Sequence, residues 1–171
     1  MNIFLVGPMG AGKSTVGRQL ARELKLDFID TDRVIEERSG ASIDWIFDVE
    51  GEVGFRNREG KVIAEVTQYQ DTVIATGGGV VENANNRLLL SARGTVIYLY
   101  ATVAQQLERT ARDKNRPLLK QNDPQRVLQE LFSRRHVLYR ETADIEVASG
   151  ARHIRLLLAD ITYEINALKS L

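Results

Sequence analysis

Gly7-Pro8-Met9-Gly10-Ala11-Gly12-Lys13-Ser14 is the stretch of this chain whose residue types and spacing most directly imply chemistry. It matches G-x-x-x-x-G-K-[ST] in full. Glycines let backbone N–H groups turn inward around phosphate oxygens without Cβ clashes. A helix opening at Lys13 would aim its positive end at the same anion. Lys13 should reach the β and γ phosphates, and the Ser14 hydroxyl should bind magnesium. By average residue usage, a chance match in a chain this long is on the order of one in a hundred, and the strand before it and helix after it lower that further.

Asp30-Thr31-Asp32 supplies two carboxylates. They could hold a metal-bound water and position a hydroxyl nucleophile, or an aspartate there could simply cap a helix beginning near Arg33. Gly77-Gly78-Gly79 either exposes backbone donors to a close ligand or makes a turn. Arg56 and Glu59, three apart, share a helix face, as a surface ion pair also would. Arg109, Arg112, Arg116, Arg134 and Arg135 are candidate cations for a transferring phosphoryl group, though several must be solvated. With only His136 and His153, a histidine metal site is not expected, and Trp45 reads as packing.

The elements that must position these residues follow from periodicity. Ile3–Val6 is a continuous apolar run, as expected for a buried parallel strand. Further strands are expected at Asp27 to Ile29, Thr72 to Ala75, Thr95 to Tyr100 and Ile145 to Ala148. Helical spacing follows the glycine loop through Val16, Leu20 and Leu24, then covers Val34 to Arg38 and Ser42 to Tyr69, with a break near Gly51. Asn85 to Ala92 and Gln125 to Tyr139 also read as helices. Thr102 and Gln105 form a capping box for another. Ile154, Leu157, Leu158, Ile161, Ile165 and Leu168 give the last helix a core stripe. Arg112 to Pro124, polar with two prolines, reads as a mobile loop. Alternating strands and helices imply an α/β fold with a parallel sheet and helices on both faces.

Composition limits the function classes. The 171 residues suffice for one domain with a buried core, and we read no internal repeat. Lys plus Arg and Asp plus Glu both number 23, so no bulk charge favours nucleic acid or an acidic membrane. The absence of cysteine excludes disulfides and thiolate metal sites and fits a reducing cytosol. The run Ile3 to Val6 is too short for a signal peptide, and no stretch is long enough to span a bilayer. With no exposed apolar stripe expected, the chain reads as a monomer.

Together these segments resemble the shikimate kinase family. The resemblance rests on Gly7 to Ser14, Asp30-Thr31-Asp32, Gly51-Glu52 with Phe55-Arg56-x-x-Glu59, Gly77 to Gly79, Arg116-Pro117-Leu118-Leu119, and Arg135 ahead of Leu138-Tyr139. It implies a three-layer P-loop kinase fold, with a five-stranded parallel sheet in the order 2-3-1-4-5, as one domain over residues 1–171. It implies a substrate-binding region over about 32–60 and a lid over about 112–124. The implied reaction moves the ATP γ-phosphate to the 3-hydroxyl of shikimate, with Mg2+, on the cytoplasmic route to aromatic amino acids.

The resemblance also assigns roles. Lys13, Asp32 and Arg116 would be catalytic. Gly10, Ala11, Gly12, Lys13, Ser14, Thr15, Arg109 and Arg116 would bind ATP, with Ser14 and Asp30 on the metal. Asp32, Phe47, Phe55, Arg56, Glu59, Gly77, Gly78, Gly79 and Arg135 would bind shikimate, with Arg56 and Arg135 gripping its carboxylate and Glu59 orienting Arg56. Three positions depart from the family pattern. Val137 stands where a proline is frequent, and Gly54 and Gly60 interrupt a helix. Another small-acid kinase, such as one for gluconate, and a non-catalytic nucleotide-binding regulator are the rival readings.

Overall fold

The computed structural model describes residues 1–111, 123–150 and 152–170. At its centre is β1 (Ile3–Val6), with side chains buried on both faces. Ile3 and Leu5 point into one core, Phe4 and Val6 into the other, so a strand flanked on both sides must be apolar throughout. β3 (Thr72–Ala75) pairs with one edge of β1 and β4 (Thr95–Tyr100) with the other; β2 (Asp27–Asp30) and β5 (Ile145–Ala148) complete the sheet. Every pairing is parallel and the order is β2-β3-β1-β4-β5, as the sequence and its resemblance imply.

One face carries α1 (Lys13–Leu24) and α7 (Ile154–Lys169), whose Leu20 and Ile161 close over Ile3, Leu5, Ile97 and Leu99. Burying such a side chain stabilises by roughly 1.5–3 kcal/mol. The other face carries α3 (Ile43–Val66), α4 (Ala84–Arg93) and α6 (Pro124–Thr142), with Ile63, Leu90 and Tyr139 packed on Phe4 and Tyr98. α2 (Thr31–Ser39) packs against α3, and α5 (Val103–Thr110) against α6.

Local signals set the boundaries. α5 has the expected capping box, with Thr102 Oγ1 accepting from Gln105 N and Gln105 Oε1 accepting from Thr102 N. α3 breaks at Gly51, where φ 71° and ψ −179° suit glycine alone, and it ends at Val66, short of Tyr69. The Glu50 side chain folds back across that break onto Arg58, with bonds of 2.7 and 2.9 Å. A Cβ on Gly54 would come within 2.4 Å of Glu50 Cβ, so this glycine accommodates the break.

Four expectations need correction. α6 starts at Pro124, at a first-turn position that needs no N–H, so Pro124 belongs to a helix and not to the loop. α2 begins at Thr31, earlier than Arg33, because Asp30 itself is the cap. Leu168 is exposed at the frayed end of the α7 stripe. Trp45 is 52 % exposed, so it is no core residue; Val49 and Val53 are exposed too, one on each side of the break at Gly51. Residues 112–122, with Arg112 and Arg116, lie outside the described residues. Among the described residues no helix is long and apolar enough to cross a membrane.

Candidate functional site

The loop between β1 and α1 wraps one end of a cavity of about 330 Å³ beyond the carboxyl ends of the strands, where open α/β sheets bind ligands. Gly12 caps α1 in the left-handed region, at φ 88°. Ala11 turns its side chain into the core, so its backbone is the part on the loop side, with N–H on Pro8 O at 3.2 Å. Gly10, Gly12, Lys13, Ser14 and Thr15 line the cavity. Lys13 is buried, and Nζ donates to Gly7 O at 2.7 Å and Pro8 O at 2.9 Å, which holds the cation at the mouth of the loop.

Asp30 serves two ends at once. Oδ1 accepts from Asp32 N at 3.0 Å and caps α2, while Oδ2 accepts from Ser14 Oγ at 2.6 Å. Capping and ligand-site readings of this residue are therefore compatible. Asp32, in the first turn of α2, lines the same cavity. A hydroxyl and a carboxylate side by side are hard oxygen donors, and among the described residues there is no cluster of three metal-ligating side chains. That donor set fits Mg2+, which keeps waters and phosphate oxygens and takes only one or two protein groups.

Opposite the phosphate loop, Gly77–Gly79 follow β3. Their backbone is not left-handed; close approach is what excludes side chains. A Cβ on Gly77 would lie 3.0 Å from both Asp32 Oδ1 and Glu59 Oε2, and one on Gly78 would lie 3.4 Å from Arg135 Nη1. On Gly79 it would lie 2.3 Å from Arg56 Nη2. Four charged groups thus converge on one glycine floor.

Arg56 donates from Nη1 to Glu59 Oε1 at 2.9 Å and from Nη2 to Glu52 Oε1 at 3.3 Å. Burial disfavours its charge, but Glu59 and Glu52 outweigh that and hold its pKa above the usual arginine value. Glu59 is almost wholly buried, and Oε2 has no hydrogen-bond partner among the described residues. Burial pushes its carboxyl up, and the pull of Arg56 and Arg135 reverses this only in part.

Phe55 is buried, and its ring packs tilted by 35° on Phe47 at 4.8 Å and lies 5.1 Å under the Arg56 guanidinium. Arg109 Nη1 donates to Gly10 O at 2.8 Å and to Ser149 Oγ at 3.2 Å, fastening the phosphate loop to the end of β5. Among the departures, Val137 is exposed on α6, and Gly60 has only Asn86 Oδ1 at 3.9 Å where a Cβ would go. Sequence reasoning missed Glu82, which binds Arg134 and Arg135, and the bond that the Tyr139 hydroxyl donates to Gly78 O at 2.5 Å. Both partnerships join residues more than fifty apart, and no local pattern announces them.

Chemically, the arrangement offers backbone and lysine donors for a polyphosphate, a hard-oxygen metal position, a carboxylate beside it, and two arginines for an anion. The sequence model of the shikimate kinase family matches residues 9–166. Curated shikimate kinases of Histophilus somni (strain 2336) and Actinobacillus pleuropneumoniae serotype 5b (strain L20) are 56 % and 55 % identical over 169 and 168 residues, each alignment covering 98 % of this chain and 97 % of the relative. The structure of shikimate kinase from Acinetobacter baumannii in complex with shikimate superposes with TM-score 0.96 at 50 % identity, covering 98 % of this chain and 94 % of that one.

Proposed function

This chain belongs to the shikimate kinase family, and from that premise we propose how its own residues carry the reaction. The enzyme is an ATP- and Mg2+-dependent kinase that moves the γ-phosphate of ATP to the 3-hydroxyl of shikimate, giving 3-phosphoshikimate and ADP. The observation that carries the proposed roles is the single cavity in which Lys13, Ser14 and Asp30 face Asp32, Gly77 and Gly78.

In this reading Arg56 and Arg135 hold the substrate carboxylate, each guanidinium matching it with paired donors. Phe47 and Phe55 lie along the carbon ring, and Gly77–Gly79 donate backbone N–H groups to substrate oxygens. Asp32 orients the 3-hydroxyl and accepts its proton as the oxygen bonds to phosphorus and the bond to ADP breaks. The transition state is loose, so placement and charge compensation matter more than basicity. Gly10, Ala11, Gly12 and Thr15 line the phosphate path, and Lys13 follows the β and γ oxygens. Ser14 and, through water, Asp30 would hold Mg2+, which supplies charge compensation between those oxygens. Arg109 lies over the adenine, and Arg116 meets the transferring phosphate. We read residues 1–171 as one catalytic domain, with a substrate-binding region over about 32–60 and a lid beginning near 112, and the enzyme as cytoplasmic and monomeric.

The test is ADP release by purified protein with ATP and Mg2+, comparing shikimate, gluconate and no acceptor. Release that requires shikimate is the expected result. Release with gluconate alone would overturn the substrate site, and ATP binding without release would favour a regulator. Lys13→Ala should lower kcat by at least about a hundredfold. Arg56→Ala should chiefly raise KM for shikimate, and an unchanged KM would remove Arg56 from the carboxylate.

A further inference from the structure

Arg135 is a charged side chain only 3 % exposed, and something must fix which of its edges faces the glycine floor. Glu82, the last residue of the 3-10 turn Val80–Glu82 after the glycine floor, does so. Its Oε2 accepts from Arg135 Nε at 3.2 Å and Nη2 at 3.0 Å, taking the side edge of the guanidinium. Its Oε1 accepts from Arg134 Nε. The Nη1 end of Arg135 is thereby the one turned to Gly78, which lines the cavity. We propose that Glu82 is a positioning residue that presents the Nη1 end of Arg135 to the carboxylate of the acid substrate.

This rests on the carboxylate-binding reading of Arg135. A competing acceptor makes the positioning necessary. Glu59 Oε2 is buried beside the same glycines, without a hydrogen-bond partner among the described residues, and it interacts electrostatically with Arg135. Without Glu82, Arg135 would turn toward Glu59 and neutralise itself there. Glu82 also repels an incoming anion, but its negative charge is already shared between two guanidinium groups. Burial alone would raise its carboxyl, yet Arg135 and Arg134 hold it below the usual carboxylate range, so it stays ionised at neutral pH. Preorganisation of a buried guanidinium therefore outweighs the residual repulsion.

The experiment is steady-state kinetics of Glu82→Gln, Arg135→Ala and the double variant, with shikimate and ATP varied separately. Glu82→Gln keeps the shape and removes the charge, and a thermal melt of each variant confirms that it folds. KM for shikimate is expected to rise about tenfold, with kcat and KM for ATP within about twofold of wild type. Glu82→Gln should add nothing in the Arg135→Ala background, because it acts through Arg135. A KM for shikimate that stays level or falls in Glu82→Gln, while Arg135→Ala still raises it, overturns the positioning role and leaves the carboxylate site intact. Additive effects in the double variant overturn it too, since Glu82 would then act through packing. If Arg135→Ala leaves KM unchanged, the carboxylate reading itself falls, and this proposal with it.

Discussion

At the scale of single residues, the glycine floor links backbone chemistry to charge placement. Three glycines after β3 suggest flexibility from sequence, yet none of them is left-handed. They are small because Asp32, Glu59, Arg135 and Arg56 press against them. The positions should differ when filled. At Gly79 an added Cβ would overlap the Arg56 guanidinium at 2.3–2.6 Å, but that group is the far end of a long side chain and can swing away. Gly79→Ala should therefore leave the melting temperature within a few degrees, about 1 kcal/mol, while raising KM for shikimate roughly tenfold or more, because Arg56 leaves Glu59 and the proposed carboxylate position together. Steady-state kinetics beside a thermal melt check both halves. A melt lowered by more than about 10 °C with an unchanged KM would show that the floor supports packing and not arginine placement.

At the scale of elements, the parts readable from sequence are those whose cause is local. The Thr102–Gln105 box was visible as a pattern, and both of its bonds are present. Thr102→Ala should cost about 1 kcal/mol and lower the melting temperature by roughly 2–4 °C, with kinetics close to wild type, because the cap lies at the start of α5 while the helix meets the phosphate loop further on, at Gln106, Arg109 and Thr110. Urea denaturation gives the first number and initial rates the second. The same locality makes β1, the phosphate loop and the break at Gly51 legible. It fails at Pro124, where one proline suits a loop and a helix start equally, and the deciding Asp123 cap is visible only in the fold. It fails again at Trp45, whose apolar type says core while its helix face turns outward. Glu82 and the bond from Tyr139 to Gly78 could not be found, because α6 reaches the glycine floor across fifty-three and sixty-one residues of chain. The resemblance supplied Arg135; only packing supplies what holds it.

At the scale of the whole molecule, one helix ties the glycine floor to the sheet. α6 places Arg135 at the glycine floor and, one residue later, His136 on the aromatic cluster over β4. The His136 ring stacks on Phe132 at 4.7 Å, and its Nδ1 lies 2.9 Å from the buried Tyr98 hydroxyl. Partial burial, with Arg140 acting in the same direction and Glu146 opposing, lowers the His136 pKa below its ordinary value of 6.5. A histidine lowered in the fold binds its proton more readily when the chain is unfolded. Its contribution to stability is therefore complete above the unfolded value of about 6.5 and declines as pH falls toward the folded value. Wild-type protein should lose stability to urea over that window, and NMR titration of the two histidines should place His136 below 6.5. His136→Asn should be less stable at pH 8, where a good ring contact is lost, yet flatter as pH falls below about 6.5. If the variant keeps the full pH dependence of wild type, the titration belongs to another group, and α6 is not anchored through the charge state of this ring.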